Sequence, residues 1–382
     1  CALVEEHGPS PEWPVGLQSP AGDLVAGERD RLADRVDFHR WCQWLLDAQL
    51  GQAQTAARQA GMAVGIIHDL AVGVHPHGSD AWSQGEVLAE GVRVGAPPDM
   101  YNQQGQDWSQ PPWRPDRLAE CGYRPYRDML RGVLRHAGGI RVDHVLGLFR
   151  LWWIPAGAPA SGGTYVSYDH EALVGILALE AGRAGAVVIG EDLGTLGDRV
   201  RDLLRERGIL GTSILWFERG DGDEVRGPQQ WRSDVLASVT THDLPPTAGY
   251  LSGEHVRLRE QLGVLTRPAA EEWADFVVER DAWLGCLREL GLIGLEPTEE
   301  QLVEALHRFV ALTPAAFVGV AVPDGVGDRR AQNQPGTDRQ YPNWRVPLTD
   351  DEGRPVLLDD LPRHERLRSL ARVIDECVRS HP

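Results

Sequence analysis

The chain has 382 residues, 42% of them hydrophobic, and a formal net charge of −18. That length accommodates one large α/β domain or two ordinary ones, and the acidic balance disfavours nucleic acid, anionic membranes and strongly anionic substrates. All 38 cationic residues are arginine, which excludes for this chain the lysine-dependent Schiff-base aldolases, pyridoxal-phosphate enzymes and Walker-A nucleotide binders.

No apolar run approaches the ~20 residues that span a bilayer. Cys1, Cys42, Cys121, Cys286 and Cys377 are odd in number, scattered and without a CxxC pair. This spacing provides neither a disulfide framework nor a zinc site, and it fits a reducing cytoplasm. The chain opens at Cys1 with no Met and no signal-peptide pattern, so its start reads as a cut edge.

Residues 1–30, rich in Gly, Pro and acids, read as loop. From Asp37 to Gly61 apolar residues recur at helical spacing, and Trp41 and Trp44 are expected to pack in the core. A short buried strand, "MAVGIIHDL", follows, then a long Gly/Pro/Gln/Trp segment to about residue 115. The pattern next predicts a helix over 117–137, a strand over 139–143, a helix over 169–184 and a strand over 186–190. A helix at 196–207 precedes strands at 211–217 and 235–241. Helices then run to about 313, before a last strand at 315–322.

Apolar strands alternating with helices mean a parallel sheet covered on both faces. No glycine-rich dinucleotide fingerprint follows any strand, whereas polar clusters stand at the C-terminal ends of four strands, as in a barrel. The expected fold is α/β: a (β/α)8 TIM barrel, N-terminally truncated so that about six of eight strands are present, with long βα-loop insertions. Residues 1–382 are expected to form a single catalytic domain fragment, the first two strands lying upstream of Cys1.

The four strand ends carry Asp69 ("GIIHDL"), Asp143 ("GGIRVDHVLG"), Glu191 ("VVIGEDLG") and Asp243 ("SVTTHDLPPT"). Several convergent carboxylates without a lysine suit glycosidic bond cleavage, in which one carboxylate attacks the anomeric carbon and a protonated second serves the leaving oxygen. Arg141 points to the same face as Asp143 and would favour its ionised form, marking a nucleophile. Glu191 follows an apolar strand, where burial would keep it protonated as a general acid. Asp243 is left to stabilise the oxocarbenium-like state. A metal alternative uses His68, Asp69, His75, His77 and Asp80 with His144 or His242, but its HxH pair sits on a loop after the strand. The segment "GAPPDMYNQQGQDWSQPPW" (95–113) has amides and aromatics that hydrogen-bond hydroxyls and stack on pyranose faces.

These blocks, with "HRWCQWLLDAQL", "RVDHVLGLFRLWWIP" and "NQPGTDRQYPNW", closely resemble the 4-α-glucanotransferases (amylomaltases or disproportionating enzymes), glycoside hydrolase family 77 of the α-amylase clan. The likeness runs from about residue 36 to 346. It implies a retaining transfer of α-1,4-glucan segments between maltooligosaccharides, with Asp143 as nucleophile, Glu191 as acid/base and Asp243 as the transition-state carboxylate. Arg141, His242 and Asn333 match positions that contact the sugar at the cleavage point. Tyr101, Gln106 and Trp108 fall in the loop over the groove. Asp69 and His144 join them as substrate contacts, His144 alternatively as a local hydrogen-bond partner. Leu-Pro-Pro follows Asp243 where many members have Asn-Asp. No cofactor or metal is implied, α-1,4-glucans serve as donor and acceptor, and the location is cytoplasmic. The alternatives are an α-1,4-glucan hydrolase with the same residues, a metal-dependent barrel hydrolase, and a glucan-binding remnant without activity.

Overall fold

Short apolar segments become parallel strands in each of the two units into which the chain divides, Cys1–Leu210 and Gly211–Pro382. The computed structural model describes residues 1–98, 104–194, 197–220, 224–337 and 339–380. Among the described residues, no helix is long and apolar enough to cross a membrane.

In the first unit the strands are β1 (Ile67–Leu70), β2 (Val92–Ala96), β3 (Gln106–Gln110), β4 (Gly139–Val142), β5 (Arg150–Pro155), β6 (Thr164–Ser167) and β7 (Val187–Gly190). β1, β4 and β7 pair in parallel in that order, which sets Asp69 beside Arg141 and Arg141 beside Ile189. β7 then pairs with the first residues of β8 (Ile209–Ile214). The sheet is covered by helices whose apolar residues recur every three or four positions. Arg124–Leu134 buries Tyr126, Leu130 and Leu134, and His170–Ala184 buries Leu173, Val174, Leu177 and Ala181. Asp169 caps the second helix through the Ala172 N–H at 3.1 Å, and Gly185, at φ 63°, closes it in the left-handed conformation that glycine adopts without strain.

The expected helix over 117–137 is two helices, Pro115–Glu120 and Arg124–Leu134. Gly122 and Tyr123 take left-handed φ values of 63° and 54°, ending the first, and Pro125 restarts the chain in the first turn of the second. The segment that reads as one long loop to residue 115 contributes β2 and β3 to an antiparallel sheet ordered β3-β2-β5-β6. Gly95 in β2 lies so close to the Gln106 carbonyl of β3 that any side chain there would collide with it.

The first 30 residues are not simply loop. Helices Ala2–His7 and Val25–Arg31 form there, and Trp13 and Leu17 are buried against Trp82, whose ring N–H donates to the Leu17 carbonyl at 2.8 Å. Tryptophan burial offsets a local composition that otherwise disfavours order. The helix Ala33–Gln59 has no buried residue. Trp41 and Trp44, expected in the core, are 52% and 65% exposed. Helical periodicity identifies an apolar face, but not whether anything covers it.

The second unit holds the remainder of β8, paired in parallel with β9 (Val235–Ser238), which pairs in parallel with β10 (Phe317–Gly319). Its core is aromatic. Trp283 and Phe309, both fully buried, meet edge to face at 5.4 Å. Phe309 comes from helix Glu299–Ala311, whose start is fixed by reciprocal Thr298 and Gln301 capping bonds.

Candidate active site

In the first unit the parallel ladder delivers its polar residues in steps. The Asp143 N–H donates to the Leu70 carbonyl and the Glu191 N–H to the Val142 carbonyl, both at 2.9 Å. Each acid therefore stands one residue past its own strand while still held by the neighbouring one. Arg141 Nη1 donates to Asp69 Oδ1 at 2.7 Å and reaches Asp143 Oδ1 at 2.9 Å. The Arg141 side chain is only 16% exposed. Burial alone would lower the Arg141 pKa, but the charges of Asp69 and Asp143 prevail and raise it. Three of the residues expected from sequence are thus joined by one cation.

Glu191 is in a different environment. Burial, with the Asp143 charge adding to it, pushes its pKa up to about 7, against the N–H donors of Leu193 and His144 and the charge of Arg141. The Leu193 N–H reaches Oε1 at 2.8 Å and the His144 N–H reaches Oε2 at 3.0 Å. His144 delivers that donor from a left-handed backbone, φ 46°, uncommon for a residue with a side chain. Its ring meets Trp108 edge to face at 5.2 Å, and burial lowers its pKa despite the nearby Asp143. Trp108 is in turn held by its ring N–H donating to Gln106 Oε1 at 3.1 Å. Gln106, Trp108 and His144 therefore form one run of contacts ending at Glu191.

In the second unit Asp243 lies five residues beyond the end of β9, not at the strand end itself. Asn333 Nδ2 donates to Asp243 Oδ1 at 2.7 Å, and the Asn333 N–H donates to the His242 carbonyl at 3.1 Å. His242 Nε2 lies 3.4 Å from Asp243 Oδ2. Trp344, 63% exposed and at a left-handed φ of 60°, sets its ring 5.0 Å from His242. Trp344 is not singled out by the sequence reasoning; its only signal is its place at the end of the "NQPGTDRQYPNW" block.

Tyr101 lies outside the described residues. His75 and His77 are exposed loop residues 5.7 Å apart, and His68 Nδ1 is bonded to the Val133 carbonyl at 2.8 Å. Among the described residues no group of three or more His, Cys, Asp or Glu is arranged to hold a metal ion.

Residues 1–351 match the glycoside hydrolase family 77 model, described as 4-alpha-glucanotransferase. A 4-alpha-glucanotransferase of Mycobacterium tuberculosis is 57% identical over 384 residues, covering 98% of this chain and 53% of that protein. One from Haemophilus influenzae is 34% identical over 343 residues, covering 86% of this chain and 49% of that protein. The crystal structure of amylomaltase from Corynebacterium glutamicum superposes with a TM-score of 0.85 at 54% identity, covering 91% of this chain and 50% of that one. The chain thus spans about half the length of the curated relatives it matches.

Proposed function

The chain belongs to the 4-alpha-glucanotransferases of glycoside hydrolase family 77, and from that premise we propose that it carries the reacting groups of a retaining transfer between α-1,4-glucans. The observation that carries the reading is the contrast between two carboxylates of one unit. Asp143 is paired with Arg141 at 2.9 Å, whereas burial pushes Glu191 up to about 7. A buried carboxyl kept toward its neutral form beside a second carboxylate paired with arginine fits separate acid and nucleophile roles.

Asp143 attacks the anomeric carbon as the glycosidic C–O bond breaks, and Glu191 passes its proton to the departing 4-oxygen. In the second step the Glu191 carboxylate takes the proton from the 4-hydroxyl of an acceptor glucan. That oxygen attacks the same carbon and frees Asp143. Retention calls for carboxyl groups ~5–5.5 Å apart. Asp243, oriented by Asn333, stabilises the positive charge that develops on the sugar. Arg141, Asp69, His242, Trp108, Gln106 and Tyr101 are assigned to sugar contact, and His144 to holding Glu191.

The parallel strands are read as part of a (β/α)8 barrel forming one catalytic domain. Two features of the first unit support this. Among the described residues β1 pairs only with β4, and the neighbouring helix Ala33–Gln59 shows Phe38, Trp41 and Trp44 to solvent. Both are surfaces that a further βα unit of a barrel would cover. Scattered cysteines without a CxxC pair support a reducing, cytoplasmic setting.

The test is incubation of the natural full-length protein with maltotriose. A ladder of longer maltooligosaccharides together with glucose is expected. Maltose and glucose alone would refute transfer in favour of hydrolysis.

A further inference from the structure

We propose that Asp324 is a positioning residue for Asp243, acting through Thr247; the inference rests on the role of Asp243 proposed above. Asp324 is 2% exposed, His307 1% and Thr247 fully buried. The Thr247 N–H donates to Asp324 Oδ1 at 2.5 Å and the Thr247 hydroxyl to Oδ2 at 2.8 Å. His307 Nε2 lies 3.2 Å from the same Oδ2, while His307 Nδ1 bonds the Val303 carbonyl at 2.8 Å. An Nδ1 facing a carbonyl must carry a hydrogen. That bond fixes the ring to its own helix, Glu299–Ala311, and Nε2 lies beside the carboxylate without a hydrogen bond to it; the bonds that hold Asp324 are those of Thr247.

Burying a carboxylate costs several kcal/mol unless its oxygens are bonded, so a group placed this deep needs its partners and holds them in turn. The partner here is four residues after Asp243. The intervening chain is short and stiff: Leu244, Pro245, Pro246. The Thr240 hydroxyl donates to the Pro245 carbonyl at 2.9 Å, and the Asp243 N–H to the Thr241 hydroxyl at 3.2 Å. With the prolines restricting φ, fixing Thr247 at one end and Thr240 at the other leaves Asp243 at the tip of a closed turn.

The segment that supplies Asp324 also supplies Asn333, nine residues later, whose side chain grips Asp243 Oδ1 from the front. One stretch, 322–333, therefore holds the Asp243 turn at both sides. Asn333 touches the carboxylate itself, and Asp324 sets where the turn stands. The Leu-Pro-Pro that follows Asp243 in this chain makes that rear anchor effective, because a stiff link transmits the position of Thr247.

The experiment is a double-mutant cycle in the natural full-length protein, with transfer rates read on an activated maltotriosyl fluoride donor. Asp324→Asn and Thr247→Val are each expected to lower kcat about tenfold with KM changed less than about twofold, and Thr247→Ser to restore the rate. In an Asp243→Asn background, Asp324→Asn is expected to change the residual rate less than about twofold, since there is no carboxylate left to position. The same factor in both backgrounds would overturn the inference, as would an unchanged kcat in folded Thr247→Val. Thr247→Val exchanges a hydroxyl for a methyl, keeps the backbone bond to Asp324 Oδ1, and remains decisive if Asp324→Asn fails to fold. A full rate in Asp243→Asn alone would instead overturn the role of Asp243, and this inference with it.

Discussion

Replacing Glu191 by Gln keeps the shape of the side chain and removes its proton. The carboxyl is raised from 4.5 to about 7, which at ~1.36 kcal/mol per pH unit is a preference of about 3 kcal/mol for the neutral form. At neutral pH about half the molecules then carry the proton that the proposed mechanism passes to the leaving oxygen. The assay is the pH dependence of kcat/KM for maltotriose, which reports the free enzyme and the first chemical step. In the wild-type protein kcat/KM is expected to fall about tenfold per pH unit above about 7. Glu191→Gln is expected to lose on the order of 10²–10⁴-fold and to lose the alkaline limb with it. A glycosyl fluoride needs no acid to depart, so its reaction with Asp143 should recover in the variant. An alkaline limb that persists in Glu191→Gln, or a fluoride donor as impaired as maltotriose, would refute Glu191 as the acid.

The same carboxyl links stability to pH. A raised folded pKa gives a contribution fully present below 4.5 and lost as pH rises through about 7. Glu191→Gln is therefore expected to gain on wild type, by up to about 3 kcal/mol, between pH 4 and pH 9 in urea titrations. Removing the Arg141 charge takes away an influence that lowers the Glu191 pKa, so the alkaline limb of Arg141→Met should move upward along with a large loss of kcat/KM. Asn333→Ala deletes a 2.7 Å bond to a carboxylate, worth about 1.5–3 kcal/mol, and is expected to cost about 10- to 150-fold in kcat/KM. Leu130 is fully buried in the first unit, so Leu130→Ala should destabilise by about 2–5 kcal/mol in denaturant titrations. Val278→Ala, at a residue 70% exposed, should change it by less than about 0.5 kcal/mol.

The strands that carry Arg141 and Glu191 were legible because buried parallel strands are short, apolar and bounded by polar residues. Asp143 and Glu191 were legible for a related reason: an acid directly after a run such as "AVVIG" has no place in a core and must be presented somewhere. The antiparallel sheet was not legible. Its strand "QDWSQ" has no apolar alternation, and it is held by backbone pairing and by the close approach allowed at Gly95. Trp41 and Trp44 show the opposite failure: their spacing marks an apolar face correctly, yet periodicity is a local property and coverage is not. The clamp of Asp324 on Thr247 spans 77 residues, and no spacing rule reaches that far.

The acid/base role proposed for Glu191 accounts for the opposed influences around it. Two N–H groups bonding its oxygens, with the Arg141 charge, would favour a carboxylate ready to accept a proton and poor at giving one. Burial and Asp143 pull the other way, and the balance falls at about 7. A group that must donate in the first step and accept in the second works best near the ambient pH, so neither set of influences can be dispensed with. One of the donors is the N–H of His144, presented from a left-handed backbone, a conformation of the kind that costs about 1–3 kcal/mol. The same turn sends the His144 ring toward Trp108. His144→Gly, which relaxes the backbone but keeps the N–H, should therefore leave the alkaline limb near 7 while loosening Trp108. A limb displaced from about 7 in His144→Gly would show that more than this N–H ties residue 144 to the tuning of Glu191.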